Sequence, residues 1–599
     1  MQKNLVRGAI GAVCLSLPVG AMAQGLQEII ITPLHFAQPL GQVVQPTRVI
    51  THSEIEATGA NTVAGVLQFY PGFQVKRLGG PGQQTSVFMQ GTNSNMVKVL
   101  INGVPVNDPN SGGVPWSQIP TTDVARIEII SGPMSTAWGA DAIGGVINII
   151  TRKPAGTGGS VSVSGGDHDT RRGALSLHAA KGGARFGASL SGERTGGQQV
   201  IDGFDPRAAY HNRTLNAFGK TRLGRLRFEA NLWQSRGRAD YVTGGPPYSG
   251  YSLAYKNYLD QTARLGAWLP IVAGWRLASG LEQSQHDTEY FDGSGYFTRS
   301  KRDAVNAGVD YALNGAHLAL GAGLARTRID TAAYHGYSKV RSAYLQWSQR
   351  LSAVTLTAAG RRTLDAQYGG HNTWNLGMAV ALPHAARFKL SAGTGFSPPT
   401  FLDLYYPDYS NPNLKPETSR SIEAQLLIPV KHAGSFSLSW FRHRLYDLIQ
   451  PNENYIPENI GNARITGATA GWNWSNGIWN VGAEASWQNP RNLDTGKLLV
   501  QRSEHHYTLR LGWRHRQLTL GGAWVYEGSR LASNGKTLEP YRILNLNAAY
   551  RFNRHWNARL RIDNALDTQY DTGYYYTGAA YLGGRRSALL TVNYRFGAA

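Results

Sequence analysis

The chain contains almost no cysteine. Its only cysteine among 599 residues is Cys14, which lies in an N-terminal segment that we expect to be removed. A mature chain without thiols can form neither a disulfide nor a cysteine-ligated metal centre. Backbone hydrogen bonds and side-chain burial must therefore stabilise the fold.

That N-terminal segment has the pattern of a secretory signal peptide. Lys3 and Arg7 precede a mostly apolar run, and Ala21-Met22-Ala23 supplies the small residues of a cleavage site. The run is too short to cross a membrane as a helix. We therefore predict a signal peptide at 1–23 and an exported mature protein.

Long hydrophobic runs and acidic residues are also scarce. No segment after the signal peptide has 18 consecutive apolar residues, which argues against a transmembrane helix. The sequence has 38 Asp and Glu against 59 Lys and Arg, a net charge of +21, or +19 without the signal peptide. Because the basic residues are scattered and the protein is exported, we expect no nucleic-acid partner; an anionic outer leaflet or anionic ligand fits better.

Catalytic motifs are missing from the sequence as well. It contains no HExxH motif and no phosphate-cradling loop. His505 and His506 are adjacent, so on a strand they face opposite sides and cannot bind one metal together. The sequence therefore favours a carrier over an enzyme.

What the sequence does contain is glycine, aromatic residues and a two-residue alternation. It has 71 Gly, 29 Tyr and 15 Trp. Near the end of the chain, alternate positions carry the apolar residues Ala588, Leu590, Val592, Tyr594 and Phe596. The positions between them are polar. An apolar face towards lipid and a polar face towards a lumen are typical of a transmembrane β-barrel.

A soluble β-sandwich is the competing interpretation of this alternation. A sandwich core could not satisfy polar-face residues such as Asn593 and Arg595. The apolar face also ends in Tyr594 and Phe596, as membrane-interface girdles do. At about 10 residues per spanning strand and about 20 with its connections, 155–599 predicts a transmembrane antiparallel β-barrel of about 22 strands.

So wide a barrel needs something to fill its lumen. Residues 45–154 have a different character, with glycine-rich loops between short apolar segments. We predict a helix at Thr62–Leu67 and strands at Val87–Met89, Val97–Ile101, Arg126–Ile130 and Gly145–Thr151. A compact α/β domain of this size could sit inside the barrel as a plug.

Several motifs resemble one known family. The run Gly132–Thr151 and the segments Val99–Val104 and Asp123–Glu128 resemble the plug domain of TonB-dependent outer-membrane transporters. Further blocks at Gly395–Thr400, Asn411–Glu417 and Asp563–Tyr570 are similar to its barrel motifs. The resemblance implies a monomer in the outer membrane, in contact with lipid and lipopolysaccharide. It also implies active uptake of a scarce nutrient, driven by TonB and its inner-membrane energising complex.

The region 24–44 is then a linker that contains a Ton box. The segment resembling it comprises Glu28, Ile29, Ile30, Ile31, Thr32 and Pro33. Three β-branched residues favour a strand, and proline ends it. Such a segment would bind TonB by adding a strand to its sheet.

Within the family, the loop at 79–86 most resembles the cobalamin transporters. The matching residues are Gly79, Gly80, Gly82, Gln83 and Ser86, with Asn107 in a second loop. Glycine lets a backbone approach a ligand closely, and Gln and Ser suit the amides of a corrinoid. A simple hairpin turn is the alternative for the glycines.

Tyrosines in the expected outer loops suit a bulky amphipathic ligand. The candidates for ligand binding are Tyr248, Tyr251, Tyr574 and Tyr575. We also place the following tyrosines in these loops: Tyr241, Tyr255, Tyr258, Tyr290, Tyr296, Tyr334, Tyr337, Tyr405, Tyr406, Tyr409 and Tyr576. Membrane-interface tyrosines are the competing explanation for some of them.

The sequence also departs from the cobalamin transporters. Their acidic calcium-binding loop is reduced to Asp202 and Asp205, which leaves calcium possible but weakly supported because the ion takes at least six oxygens. Two plug arginines of the family are replaced by Gln90 and Ser131, although residues resembling their barrel partners, Glu417 and Glu423, remain.

Other ligands and modes of transport stay open. A haem receptor would need a histidine between Phe396 and Asn411, and this stretch has none. A ferric siderophore or another metal chelate remains an alternative ligand, and a passive porin-like barrel is an alternative function.

Overall fold

The computed structural model describes residues 29–34, 36–39, 43–246, 249–452 and 454–597. The predicted signal peptide, Glu28 of the predicted Ton box and Tyr248 lie outside the described residues.

A closed antiparallel barrel forms most of the described chain, and its 22 strands confirm the predicted fold and strand number. It closes where the first strand pairs with the last, with Val161 opposite Tyr594. The strands are Gly158–Gly166, Thr170–Lys181, Ala184–Gln199, Arg207–Leu223, Leu226–Gly244, Tyr251–Pro270, Trp275–Phe291, Phe297–Leu313, Ala316–Thr331, His335–Leu351, Val354–Asp365, Gly369–Ala381, Arg387–Ser397, Glu417–Val430, Gly434–Tyr446, Ala463–Ser475, Trp479–Asn492, His505–His515, Leu518–Glu527, Tyr541–Arg551, Trp556–Asp563 and Ser587–Gly597.

Alternation along the barrel strands separates a lipid face from a lumen face. Leu590 and Val592 are exposed on the outer wall, whereas Thr591 and Asn593 line a cavity inside. The same holds for the strand Tyr541–Arg551, where Leu546 is exposed and Asn547 is buried. The outward apolar face and inward polar face predicted from the sequence are both confirmed.

The two rims of the barrel differ in the length of their connections. One rim has tight turns, such as 182–183, 224–225, 314–315 and 516–517. The other carries the long connections 398–416, 447–462, 493–504, 528–540 and 564–586. Barrels of this type place short turns in the periplasm and long loops outside the cell, so the long-loop rim is the extracellular one.

Short elements lie within these long loops. Small hairpins pair Ile449–Pro451 with Pro457–Asn459, Arg530–Leu531 with Thr537–Leu538, and Asp571–Tyr574 with Ala580–Leu582. A helix spans Phe401–Tyr405, and a 3-10 turn spans Pro383–Ala385 on the opposite rim.

The plug is an α/β unit built around a five-stranded sheet. In spatial order its strands are Thr47–Thr51, Val124–Ser131, Gly145–Thr151, Val97–Ile101 and Val104–Pro105. A hairpin pairs Phe73–Arg77 with Thr85–Met89. Helices span His52–Thr58, Val63–Leu67 and Ser135–Trp138, and 3-10 turns span Ser94–Met96 and Trp116–Gln118. The predicted strands and the predicted helix are confirmed, except that the helix begins after Thr62, whose hydroxyl accepts a hydrogen bond from Gly65 N at 3.3 Å.

An apolar core holds the plug together and touches the barrel. Buried residues from both helices and sheet, including Val66, Phe69 and Ile127, form one cluster with Trp233 and Val525 of the barrel wall. In the part of the chain that the structure describes, no helix is long and apolar enough to cross a membrane.

The region of the predicted Ton box forms a hairpin of its own. Ile29–Leu34 pairs with Phe36–Pro39, with Ile30 opposite Gln38. The segment therefore adopts a strand, and here its partner is the next stretch of the same chain.

Candidate ligand-binding site

The glycine-rich plug loop at 78–84 packs directly against the barrel wall. A Cβ atom on Gly80 would lie 2.7 Å from Gln198 Cγ, and one on Gly79 would lie 3.1 Å from Val200 Cγ1. Gly82 has a φ of +81° and leaves no room for a Cβ atom beside the Tyr210 ring. In this structure, these glycines therefore allow the backbone of the plug loop to approach the barrel wall closely.

The other predicted polar groups of the plug loops have protein partners. Gln83, which is buried, donates from Nε2 to the Asp240 carbonyl at 2.6 Å. Ser86 lies opposite Lys76 in the plug hairpin. Asn107 accepts from Val99 N at 2.8 Å and donates to the Val97 carbonyl at 3.0 Å. Gln83 and Asn107 brace the plug here, and their contact with a ligand stays a prediction.

A cluster of aromatic rings lies just above this loop. We call it the aromatic clasp: Phe204, Tyr251, Tyr575, Tyr576 and Tyr581. Ring centroids are 5.8 Å apart for Phe204 and Tyr251, 6.1 Å for Tyr251 and Tyr575, and 5.7 Å for Tyr575 and Tyr581. Two extracellular connections, at 200–206 and 564–586, meet in the clasp with Tyr251, the first residue of the strand Tyr251–Pro270.

Hydrogen bonds hold the clasp in place. The hydroxyls of Tyr251 and Thr577 are 2.7 Å apart, and Tyr576 donates to the Gly244 carbonyl at 2.9 Å. Burial raises the pKa of Tyr575 to about 12, so this phenol stays protonated at neutral pH and can donate a hydrogen bond. Val200 belongs to the same cluster and also packs against Gly79, so the clasp is continuous with the plug loop.

The predicted tyrosines are only partly brought together. Tyr251 and Tyr575 meet in the clasp, whereas Tyr574 lies apart with Lys536 Nζ 5.4 Å from its ring centroid. Placing Tyr255 and Tyr258 in a loop was wrong, because both lie inside the strand Tyr251–Pro270. Tyr258 is buried there and donates to the His211 carbonyl at 3.1 Å.

Five further tyrosines of the predicted outer-loop set form a second run of rings along the same rim, although Tyr241 and Tyr290 lie in the strands Leu226–Gly244 and Trp275–Phe291 and not in loops. Neighbouring centroids are 5.8–6.4 Å apart in the series Tyr241, Tyr290, Tyr296, Tyr406 and Tyr409. Tyr409 and Tyr576 are 51% and 56% exposed. The extracellular mouth therefore offers flat apolar faces with hydroxyl groups at their edges, which suits a large amphipathic ligand.

A lysine lies beneath this mouth. A Cβ atom on Gly573, in the connection 564–586 that carries Tyr575, Tyr576 and Tyr581 of the clasp, would lie 3.0 Å from Lys76 Cε of the plug. Burial lowers the pKa of Lys76 to about 8, and nearby Arg530 adds to the effect. Lys76 is therefore a plug residue in direct contact with a clasp loop.

The acidic residues proposed for calcium do not gather into a cluster. Among the described residues, no group of three or more His, Cys, Asp or Glu side chains could hold a metal ion. Asp202 does lie near Asp571 of the connection 564–586, and the pKa of Asp571 is raised by its own burial and by the charge of Asp202. With two predicted carboxylates, a calcium site at Asp202 and Asp205 stays a prediction.

The plug is anchored to the opposite wall by contacts that the sequence did not reveal. His443 Nε2 donates to Gln90 Oε1 of the plug at 3.0 Å, and Ser421 Oγ donates to His443 Nδ1 at 2.9 Å. Glu423, the expected partner of a plug arginine, lies 3.9 Å from His443 Nε2. His443 therefore connects the barrel to Gln90, the position where the resemblance predicts a plug arginine.

Ionic contacts reinforce the anchorage at the same side. Glu484 of the barrel accepts from Arg48 of the plug at 2.6 Å and from Arg510 of the barrel at 2.9 Å. Arg510 also donates to the Phe69 carbonyl of the plug at 2.5 Å. These pairs are distant in sequence, and no local motif marks them.

Comparison with known sequences assigns both parts of the chain. Residues 158–565 match the family described as TonB dependent receptor-like, beta-barrel, and residues 39–146 match the TonB-dependent Receptor Plug Domain. A protein of Vibrio vulnificus named vitamin B12 transporter BtuB is 29% identical, with both chains fully covered. A protein of the same name from Photobacterium profundum is also 29% identical, over 95% of this chain and 96% of its own.

Solved structures of siderophore receptors share the fold. The ferric enterobactin receptor PfeA of Pseudomonas aeruginosa has a TM-score of 0.79 at 17% identity, covering 92% of this chain and 98% of that chain. FpvA of P. aeruginosa bound to a pyoverdine has a TM-score of 0.79 at 15% identity, and the match covers 95% of this chain and 88% of that chain. The chain belongs to the TonB-dependent receptor family and is an outer-membrane transporter.

Proposed function

We propose that this transporter takes up cobalamin or a related corrinoid. The observation that carries the proposal is the full-length similarity to two proteins named vitamin B12 transporter. The chemistry of the mouth is compatible with it. A corrinoid combines a broad apolar ring with many amide groups, and the aromatic clasp offers both ring faces and the hydroxyls of Tyr251 and Tyr575.

Ligand capture would take place at the extracellular mouth. The clasp loops would cover one side of the ligand, and the plug loop at 79–86 would contact it from below. Gly80 and Gly82 pack against Gln198 and Tyr210, and this packing would hold the loop in the position from which it contacts the ligand. Tyr248 and Tyr574 remain proposed members of the site.

Energy would enter through the Ton box at 28–33. TonB would bind this segment by β-augmentation, which uses the backbone groups of one strand edge. The hairpin between Ile29–Leu34 and Phe36–Pro39 occupies one such edge. We propose that TonB binds the free edge or displaces the second strand, and then pulls the plug.

A ferric siderophore or another metal chelate is the second candidate ligand. Its support is the mature net charge of +19, which would attract an anionic chelate. The siderophore receptors named above are less than 20% identical to this chain, so their likeness concerns the fold alone. A passive porin is disfavoured because the plug fills the lumen.

Equilibrium binding tests the ligand assignment directly. The purified protein in detergent is titrated with cyanocobalamin and with a panel of ferric catecholate, hydroxamate and citrate chelates. We expect saturable cyanocobalamin binding that weakens at least tenfold in Tyr251→Ala/Tyr575→Ala. Tyr337→Ala is the matched control, because Tyr337 is exposed on the lipid side of a barrel strand. Tight binding of a chelate without binding of cyanocobalamin would favour the second candidate.

A further inference from the structure

A cavity of about 180 Å³ lies between the plug and the barrel wall, next to the plug loop at 78–84. Its lining includes Gly80 and Gly82 of that loop and Asp167 of the extracellular turn 167–169. At about 30 Å³ per water molecule in the liquid, the cavity can hold a small solute together with water. We call it the donor pocket after five lining residues that carry nitrogen donors: Arg77, His168, Arg172, Gln198 and Arg561.

The unpartnered buried side-chain atoms in the lining of this pocket are all nitrogens. Among the lining residues that the structure describes, they are His168 Nε2, Arg172 Nε, Gln198 Nε2 and Arg561 Nη1. The Gln198 amide is oriented by its oxygen, which accepts from Arg585 N at 3.4 Å. Gln198 and Arg561 are each only 8% exposed. Because a buried donor without a partner costs free energy, such a group of donors indicates a bound acceptor.

Three arginines from different elements meet at the donor pocket. Arg77 ends the plug strand Phe73–Arg77, whereas Arg172 and Arg561 belong to the barrel strands Thr170–Lys181 and Trp556–Asp563. Arg77 and Arg172 lie close enough to Arg561 for their charges to repel its charge. Such repulsion is stronger in a partly enclosed site than in water, and an anion among the three groups would relieve it.

Carboxylates pair with only two of these three arginines. Glu193 accepts from Arg172 Nη2 at 2.6 Å, and Asp563 accepts from Arg561 Nε at 2.7 Å. Within the part of the chain that the structure describes, the guanidinium of Arg77 has neither a hydrogen bond nor an ion pair. The plug therefore contributes a free cation to the pocket.

The other ionic groups of the lining do not neutralise Arg77. Arg585 pairs with Asp567, which lies outside the lining, at 2.7 Å. Asp167 accepts from Ala588 N at 2.8 Å and is thus bound to the backbone. With the pairs above, four guanidinium groups face three carboxylates in the lining, so the pocket carries an excess positive charge.

The plug also fixes the position of Arg561. A Cβ atom on Gly59, which has a φ of +67°, would lie 3.4 Å from Arg561 Cδ. The backbone at the end of the helix His52–Thr58 therefore packs on the arginine stem, while Asp563 binds the guanidinium. A group that is already ordered loses little further freedom when it binds a ligand.

We propose that the donor pocket binds a small tetrahedral oxyanion, such as phosphate or sulfate, between Arg77 of the plug and Arg172 and Arg561 of the barrel. The oxygens of such an anion accept hydrogen bonds, which matches the unpartnered nitrogens of the lining. Arginine forms strong, charge-assisted bonds with phosphate oxygens. The bound anion would join the plug to the wall, and the inference is independent of which ligand is transported.

Isothermal titration calorimetry of the whole protein in detergent, dialysed free of phosphate and sulfate, tests this site. The probe is inorganic phosphate at an ionic strength held constant with potassium chloride. We expect one phosphate to bind per chain and sulfate to compete with it. In Arg77→Gln, which breaks no ion pair, the affinity for phosphate should fall about tenfold or more. Arg302→Gln is the matched control, because Arg302 lines a different cavity of the lumen.

Three results would overturn the proposal: no saturable binding of phosphate, unchanged affinity in Arg77→Gln, or an equal loss of affinity in Arg302→Gln. Thermal unfolding of both variants verifies that each is folded. Competition distinguishes a free anion from a group of the transported ligand. Loss of phosphate binding in cyanocobalamin, but not in dicyanocobinamide, which lacks the phosphodiester, would assign the pocket to that phosphodiester and contradict a site for a free anion.

Discussion

His443 of the barrel wall donates a hydrogen bond to Gln90 of the plug, with 3.0 Å between Nε2 and Oε1. Both side chains are buried. Gln90 stands where the resemblance to the family predicts a plug arginine. Because Gln90 Oε1 can only accept, Nε2 of His443 carries the proton, and Nδ1 accepts from the Ser421 hydroxyl when the ring is neutral. The anchorage of this plug therefore depends on an imidazole that the sequence motifs do not identify.

Removing this imidazole should loosen the plug. In His443→Phe, the ring volume is kept but Gln90 Oε1 and the Ser421 hydroxyl lose their partner, which costs about 1–3 kcal/mol of the free energy of plug unfolding. Hydrogen exchange of the plug amides measures that free energy. His505→Phe, an exposed position on a nearby strand, is the control, and equal protection in the two variants would contradict the assigned role.

Glu484 should contribute more than His443. It is buried and accepts from both Arg48 and Arg510, so Glu484→Gln leaves two guanidinium groups without their charge partner. Breaking a buried pair in this way costs about 3–5 kcal/mol. Denaturant unfolding of the plug should show the loss, whereas Glu458→Gln in an exposed loop should leave stability unchanged. A loss below that of His443→Phe would mean that the network is weaker than its geometry indicates.

The barrel follows from the sequence because lipid imposes a two-residue period on every strand. The outer face, which includes Leu590 and Val592, can therefore be identified from the sequence alone. The length of the barrel region then predicts the number of strands. The strand length was less predictable. Tyr251–Pro270 has 20 residues, about twice the length that the membrane requires, and this extension is the reason that Tyr255 and Tyr258 are not in a loop.

The site was less predictable than the fold because its contacts join distant parts of the chain. The glycines at 79, 80 and 82 were identified, but their neighbours Val200, Gln198 and Tyr210 lie more than a hundred residues away. Three tyrosines of the clasp, Tyr251, Tyr575 and Tyr576, were identified, whereas Phe204 and Tyr581 carry no local signal. Such contacts depend on packing between elements that are far apart in the chain, and a single sequence does not show which elements pack together.

Gly82 should be essential for the plug loop. Its φ of +81° costs a residue with a side chain about 1–2 kcal/mol, and a Cβ atom would also overlap the Tyr210 ring. We expect Gly82→Ala to weaken cyanocobalamin binding roughly tenfold, since about 1.4 kcal/mol corresponds to a factor of ten. Gly165→Ala is the control, because no atom lies within 4 Å of a Cβ placed there. Unchanged binding in Gly82→Ala would separate this loop from the ligand site.

Lys76 should make plug stability depend on alkaline pH. Burial holds its pKa at about 8 in the folded protein, below the ordinary 10.5. Between these values the unfolded chain binds more protons, so the free energy of unfolding rises with pH, by at most about 1.4 kcal/mol per pH unit. Below pH 8 the group is charged in both states and the dependence disappears.

Plug unfolding at pH 7.5, 9 and 10.5 measures this effect. Lys76→Met should flatten the rise, and Lys415→Met in an exposed loop should retain it. A rise of equal size in Lys76→Met would assign the pH dependence to another group.

The most direct test of the account is energised uptake of cyanocobalamin through the outer membrane of intact cells that express this chain. We expect periplasmic accumulation that stops when a protonophore discharges the proton gradient. It should stop equally in Ile30→Pro, which removes a strand donor from the Ton box, while Ile30→Val transports normally and both variants bind the ligand. Accumulation that continues at the parental rate without the gradient, or in Ile30→Pro, would contradict transport coupled to TonB.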